Sequence, residues 1–273
     1  MEAQDYLTDK IEESRVEYTR NEVVTVENPD WNALQGLAFG QGSTPYESLC
    51  KEKPMPNQLY KFRMDKNGQK STVCARYDDR SRKIVLVKSR YAYGISPRND
   101  EQKFALDACL NPEIKLVSLT GGAGTGKTLL ALAAALEQER DFGQIILSRP
   151  TVILGNQDIG FLPGDQKSKM GPFVQPLMDN LDVIRHCFKP GSKQAAKIDE
   201  MLKEEKLLIS PLAYIRGRSL GRVFFIVDEA QNLTPHEIKT IITRAGEDTK
   251  IVFTRDIFQI DQPYLDMYSN GLT

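Results

Sequence analysis

GGAGTGKT, at residues 121–128, places four glycines ahead of a lysine and a hydroxyl. The spacing fits G-x-x-x-x-G-K-[ST], a phosphate-binding loop. Its chemistry requires the backbone N–H groups of Gly121, Gly122, Ala123, Gly124, Thr125 and Gly126 to wrap an anion, and side chains would block that approach. Lys127 is expected to reach the terminal phosphates of a nucleotide, and Thr128 to put its hydroxyl on a magnesium ion. Leu129 completes the expected nucleotide-binding set, where a helix begins and aims its positive end at the anion. A glycine-rich turn that binds nothing is the plainer reading, and context decides against it. KLVSLT (115–120) reads as a buried strand, and LLALAAALEQE (129–139) is built from strong helix formers. Strand, loop and helix are the setting this motif requires.

VFFIVDEAQ (223–231) is the second signal. An apolar strand ends in Asp228 and Glu229. At the carboxyl end of a parallel strand such acids face the crevice where ligands bind. Asp228 suits the magnesium, and Glu229 suits a general base that polarises an attacking water. The plainer reading is a solvated strand end. A third strand, KIVFT (250–254), leads into RDIFQID (255–261). There Gln259 is the candidate sensor of the terminal phosphate, with a plain loop glutamine as its equal alternative.

From Tyr93 onward strands and helices alternate. Apolar strands are expected at 115–120, 144–148, 206–209, 223–227 and 250–254. That pattern predicts an α/β fold with a parallel sheet covered by helices on both faces. Asn99 to Gln102 fits a helix-capping arrangement, and Asn111-Pro112 stops that helix. Thr234, Pro235 and Glu237 start another, with Ile238, Ile241 and Ile242 on one face and Gly246 closing it. Ahead of this core, 58–64, 71–77 and 83–88 read as a small antiparallel β module, with Asn67-Gly68 as a hairpin turn. Residues 1–56 show little periodicity and read as an acidic linker or arm. The expected division is therefore 1–56, 57–93 and 94–273.

The chain has 273 residues, 40% hydrophobic and 27% charged, an ordinary globular composition. Its longest apolar run, LLALAAAL (129–136), is too short to span a bilayer. MEAQDYLTDK is too polar for a signal peptide. Cys50, Cys74, Cys109 and Cys187 lack metal-ligand spacing, so reduced thiols in a cytoplasm are the expectation. Net charge is −1, yet residues 1–30 hold nine acids and three bases, which leaves the remainder net positive. Nucleic acid, if bound, would have to use local arginines and lysines there.

Several stretches together resemble the ATPase domain of the PhoH-like family, relatives of the superfamily-one helicase core. They are SPRNDEQKFALDACL, LTGGAGTGKTLLALAAALEQ, RP (149–150), DIGFLPGD, YIRGRS, FIVDEAQNLTPHEIKTIITRAGEDTKIV and QIDQPYLDMYSNGLT, spread over 94–273. The resemblance implies a RecA-like P-loop NTPase fold, ATP and Mg2+ as cofactors, single-stranded RNA as a partner and a homo-oligomeric ring, with a hexamer as one size. It implies that Gln102 reads adenine, although a capping glutamine would look identical. It places Arg149 near the crevice, and Arg216 and Arg218 toward nucleic acid or a neighbouring subunit's phosphate. Lys167 and Lys169, in a long loop, are weaker nucleic-acid candidates. The first 93 residues resemble the segment that joins a PIN ribonuclease domain to the ATPase in longer family members.

Two departures stand out. The family's GD-x-x-Q pattern has glycine where this chain has Arg255, which would either lean toward the terminal phosphate or push the sensor loop aside. Impaired hydrolysis is the expectation. The chain also stops at Thr273, where the family continues with a further helical segment. Three functions share the phosphate loop: an RNA-directed ATPase motor, a slow nucleotide-dependent switch that positions a nuclease, and a small-molecule kinase. The last is disfavoured because Asp228-Glu229 suits water attack and no arginine-rich lid is evident.

Overall fold

A computed structural model of the chain describes residues 23–40, 42–66, 69–150, 166–215, 220–256 and 258–261. They fall into two units. One holds the described residues up to Arg90 together with Pro97–Asp107. The other holds Tyr91–Ser96 and the chain from Ala108 onward.

In the first unit, β1 (Val24–Glu27), β2 (Ser43–Pro45), β3 (Leu59–Lys66), β4 (Gln69–Asp78) and β5 (Lys83–Leu86) form one sheet in the order β1-β3-β4-β5-β2. β1 runs parallel to β3, and the other pairs are antiparallel. Alternation along the strands turns Tyr60, Phe62, Ala75, Tyr77 and Ile84 to one face, where they bury with Leu34 and Leu37 of α1 (Trp31–Phe39). On the other face Cys74 and Val87 meet Phe104 of α2 (Asp100–Leu110). Lys61 Nζ donates to Glu101 Oε1 at 2.5 Å beside them.

The expected three-stranded antiparallel module is thus a five-stranded mixed sheet. Residues 23–56 are part of it through β1, α1 and β2 rather than a separate arm. The two added strands have four and three residues, too few for a period of two to register in the sequence. Asn67 and Gly68 lie outside the described residues, between the paired Lys66 and Gln69.

The second unit is built on a fully parallel sheet of β6 (Leu116–Thr120), β7 (Gln144–Arg149), β8 (Leu207–Pro211), β9 (Val223–Val227) and β10 (Lys250–Arg255), in the order β6-β10-β9-β7-β8. All five residues of β9 are buried, as befits a central strand. α3 (Lys127–Glu137) packs on β7, β9 and β10 with Leu130 through Leu136 buried. α4 (Gln166–His186) and α5 (Lys193–Lys203) lie on β8. α6 (Pro235–Ile242) packs Ile238 and Ile241 against Phe225, Val227, Ile251 and Phe253. This is the covered parallel α/β sheet read from the sequence.

Two local expectations change. Lys167 and Lys169 sit in the first turn of α4, not in a loop. The buried stripe of Leu177, Leu181 and Ile184 carries that helix despite Gly171 and Pro172. Gly246 is not the end of α6, which stops at Ile242. Its N–H donates to Leu220 O at 2.5 Å, and a Cβ there would lie 2.8 Å from that oxygen. Close backbone approach therefore requires the glycine. The capping box of α6 is as read, with Thr234 Oγ1 accepting from Glu237 N and Glu237 Oε2 from Thr234 N.

Candidate active site

Strand order builds the site. β10 lies between β6, which feeds the glycine loop, and β9, which carries the two acids. The turns after these three parallel strands therefore share one sheet edge, the ligand-binding edge of such folds. Between them opens a cleft of about 390 Å³, within the usual range for small-molecule sites. Ala123, Gly124, Gly126, Lys127, Thr128 and Leu129 line it from the loop. Arg149, Asp228, Glu229 and Gln259 line the rest, with Thr254, Asp256, and Pro176 and Asn180 of α4.

The loop is shaped by its glycines. Gly126 caps α3 in the left-handed region (φ 83°, ψ 17°), a conformation costly for any residue with a side chain. Lys127 Nζ folds back over the loop and donates to Gly121 O and Gly122 O at 2.7 and 2.8 Å. Thr125 Oγ1 donates to Gly122 O at 2.8 Å. A cation held over a turn of backbone amides at a helix N-terminus is an anion-binding arrangement.

The acids are placed from β9. Asp228, only 7% exposed, donates its N–H to Ser148 O of β7 at 2.7 Å. Its Oδ1 accepts from Thr128 Oγ1 and from Thr254 Oγ1, both at 2.5 Å. A hydroxyl and a carboxylate side by side next to a phosphate loop are hard oxygen ligands that fit Mg2+. Among the described residues no group of three or more His, Cys, Asp or Glu side chains could hold a metal.

Glu229 follows in the left-handed region (φ 51°, ψ 41°), uncommon outside glycine and a recurrent feature of functional turns. Its Oε1 lies 3.4 Å from Arg149 Nη2, and its Oε2 accepts from Gln231 Nε2 at 2.5 Å. Gln259 enters the same web through its backbone, since its carbonyl accepts from Gln231 Nε2 at 2.7 Å.

Gln102 lies in the first unit, where its Oε1 accepts from Arg98 N at 2.7 Å and its N–H donates to Asn99 Oδ1 at 2.8 Å. That is the capping geometry. Arg216 and Arg218 lie outside the described residues. Arg255 bonds the strand that feeds the glycine loop. Its Nε donates to Thr120 Oγ1 of β6 at 2.9 Å, and its carbonyl accepts from Gly121 N at 3.2 Å. Partial burial there pulls its guanidinium below the usual arginine range.

Sequence reading missed Gln231, Thr254 and Asp256, all polar and at most 4% exposed. The one available signal was the polar pair Gln231-Asn232 between apolar Ala230 and Leu233, in a turn the sheet buries.

A parallel α/β sheet with this loop and these acids at one edge defines a P-loop NTPase domain. The family model for PhoH-like protein matches residues 94–273. The chain belongs to the PhoH-like family. It is 38% identical to protein PhoH2 of Bacillus subtilis (strain 168), covering 99% of this chain and 60% of that one. It is 40% identical to protein PhoH2 of Mycolicibacterium smegmatis, covering 66% of this chain and 40% of that one. The chain thus spans 60% or less of the length of these two curated relatives. A solved Sulfolobus solfataricus SWI2/SNF2 ATPase core in complex with dsDNA aligns at a TM-score of 0.39 and 15% identity, over 62% of this chain and 34% of that one.

Proposed function

We propose that the chain binds ATP with Mg2+ and hydrolyses it, and that single-stranded RNA directs the hydrolysis. The observation that carries the first part is the Thr128–Asp228 hydrogen bond, which sets a hydroxyl and a carboxylate together beside the phosphate loop. The loop amides would cradle the phosphates, and Lys127 would leave its carbonyl partners for the terminal one. Bound Mg2+ would neutralise charge on the phosphates, held by Thr128 and Asp228. Glu229 would accept a proton from water as the water oxygen attacks the terminal phosphorus. ADP is the leaving group and phosphate the second product. Arg149, 3.4 Å from Glu229, and Gln259 line the same cleft and are proposed to sense the terminal phosphate.

The RNA-directed part rests on resemblance to the helicase core. A homo-oligomeric ring, with a hexamer as one size, would supply the second surface a motor needs. Arg216 and Arg218 would then face RNA or a neighbouring subunit. A cytoplasmic setting accords with four free cysteines. Among the described residues no helix is long and apolar enough to cross a membrane.

One observation favours a second reading. Both carboxylate oxygens of Glu229 are engaged, by Arg149 and by Gln231. A base so held fits a slow switch that positions a PIN ribonuclease domain in longer chains. ATP hydrolysis with and without single-stranded RNA, across a salt series, separates the two. The motor reading expects stimulation that fades steeply with salt, because phosphate contacts release counterions. Slow hydrolysis indifferent to RNA selects the switch.

A further inference from the structure

We infer that Gln231 is a positioning residue that ties the carboxylate of Glu229 to the Asp256–Gln259 loop, so that base and loop move as one. The inference rests on the hydrolysis reading above and names a residue that reading does not use.

Gln231 sits in the short 3-10 turn Ala230–Asn232 after Glu229 and is fully buried. Its amide makes three contacts. Nε2 donates to Glu229 Oε2 at 2.5 Å and to Gln259 O at 2.7 Å. Oε1 accepts from Asp256 N at 3.1 Å. Only one orientation of the amide satisfies all three, because a flip would aim its oxygen at a carboxylate and a carbonyl. Both Nε2 hydrogens are spent, one on Glu229 and one on the loop. Methionine can supply neither.

The loop is braced to behave as a unit. Phe258 N donates to Asp256 Oδ1 at 3.0 Å, and Gln259 N to Asp256 O at 3.2 Å. Asn232, the next residue of the turn, accepts from Asp261 N at 2.8 Å. A shift of Gln259 toward or away from a bound phosphate would drag the nitrogen that also holds Glu229. Two of the bonds of Gln231 hold the loop backbone, and the third holds a carboxylate that lines the cleft.

The test is hydrogen–deuterium exchange on the whole chain with and without ATP and Mg2+, paired with steady-state hydrolysis, in wild type, Gln231→Met and Glu229→Gln. In wild type, nucleotide should slow exchange at both 121–130 and 256–261. In Gln231→Met the first slowing should persist, and the second should shrink about tenfold. Turnover should drop about 10–100-fold in kcat with KM within about threefold, the mark of lost positioning rather than lost binding. Should Gln231→Met fail to fold, Gln231→Leu is read by the same criteria, since it also lacks the donors. No slowing at 256–261 in wild type, or equal slowing in the variant, overturns the proposal. Failure of the hydrolysis reading appears separately, as turnover that is absent or that survives Glu229→Gln. The exchange comparison decides the tie in either case.

Discussion

Thr128 Oγ1 and Asp228 Oδ1 lie 2.5 Å apart, joined by a hydrogen bond that spans 100 residues of sequence. The bond sets the start of α3 against the end of β9, although β10 separates β9 from β6 in the sheet. Thr254 Oγ1, near the end of β10, donates to the same carboxylate oxygen. Loop, acid and third strand therefore meet at one atom. That convergence makes the site more than a glycine-rich turn, and it makes Thr128 testable apart from Lys127.

Thr128→Ala should raise the Mg2+ concentration for half-maximal ATP hydrolysis about tenfold, as loss of a metal-site group typically does. Thr128→Ser keeps the hydroxyl and should stay near wild type. A Mg2+ titration of the three proteins checks this, and equal midpoints would remove Thr128 from the ion.

Arg255 occupies a position where family resemblance expects glycine, and its side chain bonds Thr120 Oγ1. Arg255→Gly should therefore leave turnover within about threefold and lower stability by about 1 kcal/mol, the worth of one hydrogen bond. Parallel ATPase and thermal-melt measurements read both. A rise in turnover beyond tenfold would instead support the impaired-hydrolysis expectation.

Lys250 is a buried cation at the head of β10, 1% exposed. Its Nζ donates to Ala108 O, Cys109 O and Asn111 O at 3.2, 2.6 and 2.7 Å, at and just beyond the C-terminal end of α2. A positive charge there also meets the negative pole of the helix. Lys250→Met would fill the space but leave three carbonyls without that donor. Urea denaturation should show a loss of about 3 kcal/mol.

The Lys206 ammonium, 2.7 Å from Glu139, holds that carboxyl below its ordinary value of 4.5. A depressed folded-state pKa contributes stability above the unfolded value and loses it as pH falls through the folded one. Wild type should therefore lose this increment as pH falls below about 4.5, and Lys206→Met should lack it throughout. The pair is partly exposed, so the difference at neutral pH should stay under about 1 kcal/mol. Denaturation curves from pH 3 to 7 would show it.

The sequence exposed what is local. Eight consecutive residues fix the loop, and one strand end fixes Asp228 and Glu229, because each geometry is set within a few residues. The covered parallel sheet was legible for the same reason, since its strands are continuous apolar runs. β1 and β2 were not, being too short to show a period. The web around Glu229 was hidden for another reason. Gln231 meets Asp256 and Gln259 from 25 and 28 residues away, and no spacing rule predicts that meeting. Arg149 reaches Glu229 only because β7 and β9 are neighbours. Gln102 remained double in the sequence, and the geometry shows its capping bonds.

The most direct measurement is nucleotide binding and ATP hydrolysis by this chain beside Lys127→Ala and Glu229→Gln. The account predicts that wild type binds and hydrolyses ATP. Lys127→Ala should lose most binding, and Glu229→Gln should bind within about threefold of wild type while turnover drops by about a hundredfold or more. Hydrolysis that persists in Glu229→Gln, or binding indifferent to Lys127, would contradict it.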